Sequence, residues 1–198
     1  MGKIYCVMGK SSSGKDSIYH QIMEKGVLAL KPIIPYTTRP IRDGEQDGRE
    51  YHFCTEETVQ KLQDAGRIIE LRAYNTVYGV WKYFTVDDER IDLANNHYMY
   101  IVTLEGYTRI REYFGKDHVV PIYIEVEDGE RLMRAIARER QQEVPKYEEM
   151  CRRFLADSAD FSEAKLAEAG IKRRFTNNDF GETVREVTAY IADSIAAE

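Results

Sequence analysis

Gly9-Lys10-Ser11-Ser12-Ser13-Gly14-Lys15-Asp16 follows the apolar run Ile4-Tyr5-Cys6-Val7-Met8 and precedes the helically spaced Ile18, Ile22 and Met23. A short buried strand, a glycine-bounded turn and a helix start make G-x-x-x-x-G-K a phosphate cradle, the P-loop. Its glycines let main-chain N–H groups converge without a Cβ in the way, and the helix N-terminus adds a positive dipole. Lys15 then reaches the outer phosphates of a triphosphate. The position after it normally carries Ser or Thr to ligate Mg²⁺, and here it is Asp16. A carboxylate is also a hard oxygen ligand. Asp16 could bind the ion directly, hold it through a water, or serve as an acid facing the helix dipole. The residues leave all three open.

Outward from this loop the chain alternates strand and helix. The first helix is expected to reach Lys25, followed by an extended stretch over 31–37 with Pro32 and Pro35, which suit an edge or irregular strand. Helices are expected over 56–65 and 85–95, the second opened by a capping box, Thr85-x-x-Asp88. The runs 98–103 and 119–124 predict buried strands, joined through a helix carrying Tyr107, Ile110 and Phe114. A basic helix over 130–140 leads through Val144-Pro145 into another that reaches Phe161. A short strand near Phe175 then precedes a final helix capped by Asp179 and striped by Val184, Val187, Ile191 and Ile195. Such alternation predicts an α/β fold, a parallel sheet with helices on both faces.

The totals fit that picture. The 198 residues make one domain, and 43% hydrophobic with 31% charged residues is ordinary globular composition. A net charge of −6 argues against a general nucleic-acid binder. Cys6, Cys54 and Cys151 are odd in number and widely spaced, which suggests a reducing compartment and no disulfide framework. No stretch reads as a signal peptide or membrane span, so a cytoplasmic protein with no membrane partner is expected. Oligomeric state is not legible.

A second stretch runs Tyr36-Thr37-Thr38-Arg39-Pro40-Ile41-Arg42-Asp43-Gly44-Glu45 and on through Gly48 to Tyr51-His52-Phe53. Arg39 and Arg42 can fork around one phosphate, because planar guanidinium donors match its oxygens in pairs, and Tyr51 adds a hydroxyl. Taken alone, these charges would usually be a solvated loop.

With the P-loop, however, Thr37-Thr38-Arg39-Pro40, Arg42, Gly44-Glu45, Gly48 and Tyr51-x-Phe53 resemble the GMP-binding segment of guanylate kinases. The likeness continues through Ile69-Glu70, Tyr78-Gly79, the arginine-bearing helix and Asn178-Asp179, covering nearly the whole chain. It implies a P-loop kinase fold with core segments 1–36, 97–127 and 147–198, an inserted acceptor-binding subdomain over 37–86 and a helical lid over 128–146. It also implies ATP and Mg²⁺, with small nucleotides as the substrates. Gly9, Lys10, Ser11, Ser12, Ser13, Gly14, Lys15 and Asp16 would hold the ATP phosphates, with Asp16 nearest the metal and Asn178 beside the adenine. Arg39, Arg42, Tyr51 and Tyr78 would clamp the acceptor monophosphate, and Glu70 would accept from guanine N1 and N2. Arg134 and Arg138, on one stripe with Arg131, resemble lid arginines, and Arg153 resembles a further one. With Lys15 and Arg39 these form the expected catalytic set.

The departures lie at the base. The family's serine before Thr-Thr-Arg is Pro35 here, the Ser or Thr after Tyr-Gly is Val80, and its Asp-x-Asp pair falls on Ile101 and Thr103. Asp16, Tyr36 and Val80 also resemble ribose 1,5-bisphosphate phosphokinases, against which stand Arg42, Gly44-Glu45 and Tyr51. A third alternative is a guanylate-kinase-like module that binds phosphopeptides without catalysis. The intact Gly14-Lys15 argues against it.

Overall fold

The computed structural model describes residues 1–76 and 78–197. Its centre is a five-stranded sheet, β1 (Ile4–Met8), β2 (Leu30–Pro32), β7 (His97–Ile101), β8 (Val119–Glu125) and β9 (Arg174–Thr176), in the order β2-β7-β1-β8-β9. Every pairing in it is parallel, with Ile4 opposite both Tyr98 and Val119.

The unbroken apolar run of β1 follows from burial on both faces. Ile4, Cys6 and Met8 join one cluster with Tyr107 and Ile110 of α3 (Leu104–Phe114), Phe161 and Leu166. Leu166 lies on α6 (Glu163–Glu168). Tyr5 and Val7 point the other way, toward Ile18 and Ile22 of α1 (Lys15–Lys25) and Val184, Val187 and Ile191 of α7 (Phe180–Ala196). Burial of the Cys6 thiol in the first cluster pushes its pKa far up, so it stays an inert packing group. Helices therefore cover both faces of a parallel sheet, as the alternation predicts. As expected, Asp179 caps α7, its carboxylate accepting from Glu182 N at 2.7 Å.

A second sheet lies between β2 and β7 in sequence. It contains β3 (Tyr36–Thr37), β4 (His52–Phe53), β5 (Ile68–Thr76) and β6 (Gly79–Val86), in the order β4-β3-β6-β5, with β5 and β6 antiparallel. Phe84 and Val86 turn to one face with Val59 of α2 (Glu56–Asp64), and Tyr36, Ile68 and Leu71 pack there too. Glu70, Arg72 and Tyr74 sit opposite Thr85, Tyr83 and Trp81 on the other face.

Here the sequence expectation needs correction. The helix expected over 85–95 does not form: 79–86 is strand and 87–95 is irregular. Thr85 does not cap a helix. It is buried, its hydroxyl donating to Glu70 Oε1 at 2.8 Å and 2.8 Å from the Tyr100 hydroxyl. The extended stretch 31–37 is likewise two short strands in different sheets.

The remaining helices, α4 (Asp128–Arg140) and α5 (Tyr147–Asp160), follow β8. Among the described residues no helix is long and apolar enough to cross a membrane.

Candidate active site

The loop between β1 and α1 packs by close approach. Gly14, at φ 85°, begins α1 with no side-chain cap, which leaves the first helical N–H groups open to an anion. A Cβ there would collide with Asn177 Nδ2. That buried amide holds the loop from below, donating to Ser13 O at 2.8 Å. Ser12 adopts φ 63°, a left-handed conformation that costs a side-chain-bearing residue about 1–2 kcal/mol. The Ser12 and Ser13 hydroxyls are buried and have no hydrogen-bond partner among the described residues. Lys15 Nζ lies 2.9 Å from Asp16 Oδ2, an exposed carboxylate.

Carboxylates from the two helices after β8 fasten the front of the loop. Asp157 Oδ2 of α5 accepts from Ser11 N at 2.7 Å, and Lys10 Nζ pairs with Asp128 Oδ1 of α4 at 3.2 Å. Arg131 lies between the two acids, 3.3 Å from Asp128 and 3.7 Å from Asp157, with its side chain 1% exposed and its guanidinium 4.8 Å from the Phe154 ring. Arg134, one turn on, donates to Asn177 O and pairs with Glu130.

The polar face of the second sheet collects the acceptor candidates. Arg39 is 4% exposed, with its guanidinium 5.4 Å from the Tyr51 ring and 5.6 Å from the Phe53 ring. Its end-on face is taken: Nη1 and Nη2 donate to Glu45 at 3.0 and 2.8 Å, and Nη1 also to Pro40 O. The hydrogen bond from Arg39 holds the Glu45 carboxyl below its ordinary pKa and raises that of Arg39. Glu45 thus orients Arg39, and the Tyr83 hydroxyl also bonds to its guanidinium. Tyr51 and Tyr83 pack edge to face beside it, and burial raises the pKa of the Tyr51 hydroxyl, which remains a neutral donor. Further along the face, Glu70 receives Thr85 and the Arg72 Nε, the latter at 3.0 Å.

A guanylate kinase family model matches residues 1–194. The chain belongs to the guanylate kinase family. A guanylate kinase of Paraburkholderia xenovorans is 26% identical over 192 residues, which are 96% of this chain and 80% of that protein. One of Cupriavidus pinatubonensis is 38% identical over 69 residues, 35% of this chain and only 32% of that protein's length. The crystal structure of guanylate kinase from Anaplasma phagocytophilum superposes with a TM-score of 0.65 at 21% identity, covering 97% of this chain and 85% of that one, a likeness of fold.

Against the guanylate kinase pattern, the structure brings together Lys15 with the loop, and Arg39 with Tyr51 and Glu70 on one sheet face. Others stand apart. Tyr78 is 81% exposed and stacks on Trp81, 6.1 Å between ring centroids. The Arg42 side chain is exposed, though its N–H donates to Glu45. Arg138 and Asn178 are exposed, and Arg153 is exposed and paired with Glu149 at 2.7 Å. The departures have other occupations: Thr103 caps α3 by accepting from Gly106 N, Pro35 O accepts from His52 N, and Ile101 packs in the core. Sequence reading passed over Arg72, Tyr83, Thr85, Tyr100 and Asp157. The alternation of Trp81, Tyr83 and Thr85 is the signal for two of them.

Proposed function

We propose that this protein transfers the γ-phosphoryl group of ATP to GMP or dGMP. An oxygen of the acceptor monophosphate attacks the γ-phosphorus, the bond to the β-phosphate oxygen breaks, and ADP leaves with that electron pair. Little covalent help is needed, so the residues act by alignment and charge. Loop amides and Lys15 hold the donor. Arg39 and Tyr51 hold the acceptor, joined by Arg42 and Tyr78 when the subdomain closes. Glu70 accepts from guanine N1 and N2. Arg134, Arg138 and Arg153 neutralise the transferred group, Asn178 flanks the adenine, and closure excludes water.

Supporting this reading is the pairing of an uncapped, amide-lined helix start with a guanidinium that Glu45 orients beside the Tyr51 and Tyr83 side chains. Mg²⁺ fits the same place. Among the described residues no cluster of three His, Cys, Asp or Glu could cage a metal. The single carboxylate of Asp16 beside a triphosphate suits an ion bound mostly by phosphate and water. Asp16 would hold the ion, which would offset the charge of the phosphates. On this reading the subdomain is 37–86, the lid 128–146, the substrates are small nucleotides and the setting is cytoplasmic.

The test is ADP release with GMP, dGMP, AMP, UMP and ribose 1,5-bisphosphate as acceptors. Turnover is expected with GMP or dGMP, and Lys15→Ala should lower kcat about 100-fold or more while leaving the circular dichroism spectrum intact. Turnover confined to the sugar bisphosphate, or none with any acceptor, overturns the proposal.

A further inference from the structure

The base end of the acceptor face contains a charge that the proposed reaction does not yet use. Arg72 follows Glu70 by two residues on β5, so both side chains project to the same face. Its Nε donates to Glu70 Oε2 at 3.0 Å, and Nη2 reaches Oε1 only at 3.5 Å, the limit of a hydrogen bond. Nη1 has no protein acceptor among the described residues. The Arg72 side chain is 19% exposed and that of Glu70 3%, so the pair is held in one place yet open on one side. Both line a cavity of about 470 Å³ with Gln63, Glu105 and Arg109, bounded by β5, the end of α2 and the first turns of α3.

A carboxylate has roughly four lone-pair sites. Thr85 fills one on Oε1 and Arg72 Nε one on Oε2, so each oxygen can still accept. The two Glu70 oxygens, with Arg72 Nη2 beside Oε1, therefore offer two acceptors and a neighbouring donor. The Watson–Crick edge of guanine reads N2–H donor, N1–H donor, O6 acceptor, its complement. Adenine offers an acceptor at N1 and a donor at N6, which would face like groups at both positions. The side chains that usually flank this base are replaced: Pro35 has no hydroxyl, Ile101 is apolar, and the Thr103 oxygen accepts from Gly106 N in the α3 cap.

We propose that Arg72 is a specificity-determining residue of this kinase, donating from its free Nη face to guanine O6 while Glu70 accepts N1–H and N2–H2. This rests on GMP being the acceptor and goes beyond it by assigning the O6 contact. Arg72 also offsets the charge of Glu70, whose side chain is only 3% exposed.

The experiment compares GMP, 6-thio-GMP and inosine 5′-monophosphate in the native protein and in Arg72→Met and Arg72→Lys. 6-Thio-GMP keeps both donors and weakens the acceptor at position 6, whereas inosine monophosphate keeps O6 and lacks N2. Native protein should prefer GMP to 6-thio-GMP by tenfold or more in kcat/KM, the range of one hydrogen bond to a charged group. Arg72→Met should raise the KM for GMP about tenfold to a hundredfold, change kcat little, and bring the GMP to 6-thio-GMP ratio close to one. The preference for GMP over inosine monophosphate, read by Glu70, should survive. If Arg72 only propped up Glu70, both ratios would fall together, and that result overturns the proposal. Equal use of GMP and 6-thio-GMP by native protein overturns it without any variant, so a failure of Arg72→Met to fold leaves the test standing. Arg72→Lys, with charge but no planar fork, should recover the fold and only part of the 6-thio discrimination; full recovery would reduce the role to charge alone and overturn the O6 contact. A native protein inactive on GMP but active on another acceptor would bring down the GMP assignment itself, a result distinct from all of these.

Discussion

At the scale of single residues, the phosphate loop carries its cost in one place. Ser12 has the left-handed conformation that glycine takes freely, and its hydroxyl is buried without a partner among the described residues. Both features favour glycine: relief of about 1–2 kcal/mol of backbone strain, plus removal of an orphaned polar atom. Against them stands the extra freedom of glycine in the unfolded chain, about 0.4–1 kcal/mol. Ser12→Gly is therefore expected to stabilise the protein by about 1 kcal/mol, raising Tm by about 3 °C for a chain of this length. Thermal unfolding measured without nucleotide decides it, and a lowered Tm would mean that Ser12 makes a contact worth more than its strain. The G-x-x-x-x-G-K string was readable in advance because it depends on local geometry alone. Arg72 was not, because its meaning depends on which strand face it shares with Glu70.

At the scale of elements, what was legible followed the strength of the local pattern. The β1 strand, α1, α3, β8 and α7 have long or doubly buried apolar runs that admit one reading. The stretch 79–95 does not: Thr85-x-x-Asp88 has the spacing of a capping box, while Trp81, Tyr83 and Thr85 alternate with Lys82, Phe84 and Val86. Alternation prevailed because Phe84 and Val86 gain a buried partner in Val59 and because β5 supplies the ladder, a long-range pairing invisible to a local window. The join between α4, α5 and the phosphate loop was equally hidden. Arg131 is a basic residue on a basic helix, yet it is buried between Asp128 and Asp157, and Asp157 in turn holds Ser11 N. Removing one partner of such a buried arrangement is expensive, although Asp128 is half exposed and can be rehydrated. Arg131→Leu is expected to cost about 2–3 kcal/mol in urea unfolding. Combined with Asp157→Asn, the loss should fall short of the sum of the two single losses by about 1 kcal/mol. Strict additivity would mean that the two side chains act independently.

At the scale of the whole molecule, two sheets meet where Thr85 of β6 touches Tyr100 of β7 and where α3 packs on β5. Tyr36 donates to Asp88 and Tyr113 to Asp87 at 2.6 and 2.7 Å, tying the irregular 87–95 stretch to both. Those ties lie at the base of the proposed acceptor subdomain, and its far tip, with Tyr78 and Val80, is exposed. The proposed lid, 128–146, is built in the same way. Arg131 and Asp128 fasten the start of α4 to the loop, while Arg138 near its end is exposed and makes no ion pair among the described residues. Both units are thus anchored at one end and free at the other, the arrangement of a hinge. The charge of Arg138 at the lid's free end gains little in water, where screening is strong, and much when an anionic phosphate chain is enclosed beneath it. Closure should therefore need both nucleotides, because each alone fills one half of the cleft. Small-angle scattering is expected to show a reduced radius of gyration with an adenosine–guanosine bisubstrate joined by a polyphosphate, and a smaller change with either nucleotide alone. Arg138→Ala with Arg153→Ala should diminish that contraction and lower kcat, leaving the KM for GMP little changed, since neither side chain lies on the acceptor face. An unaltered contraction in the double variant would assign closure to the acceptor subdomain alone.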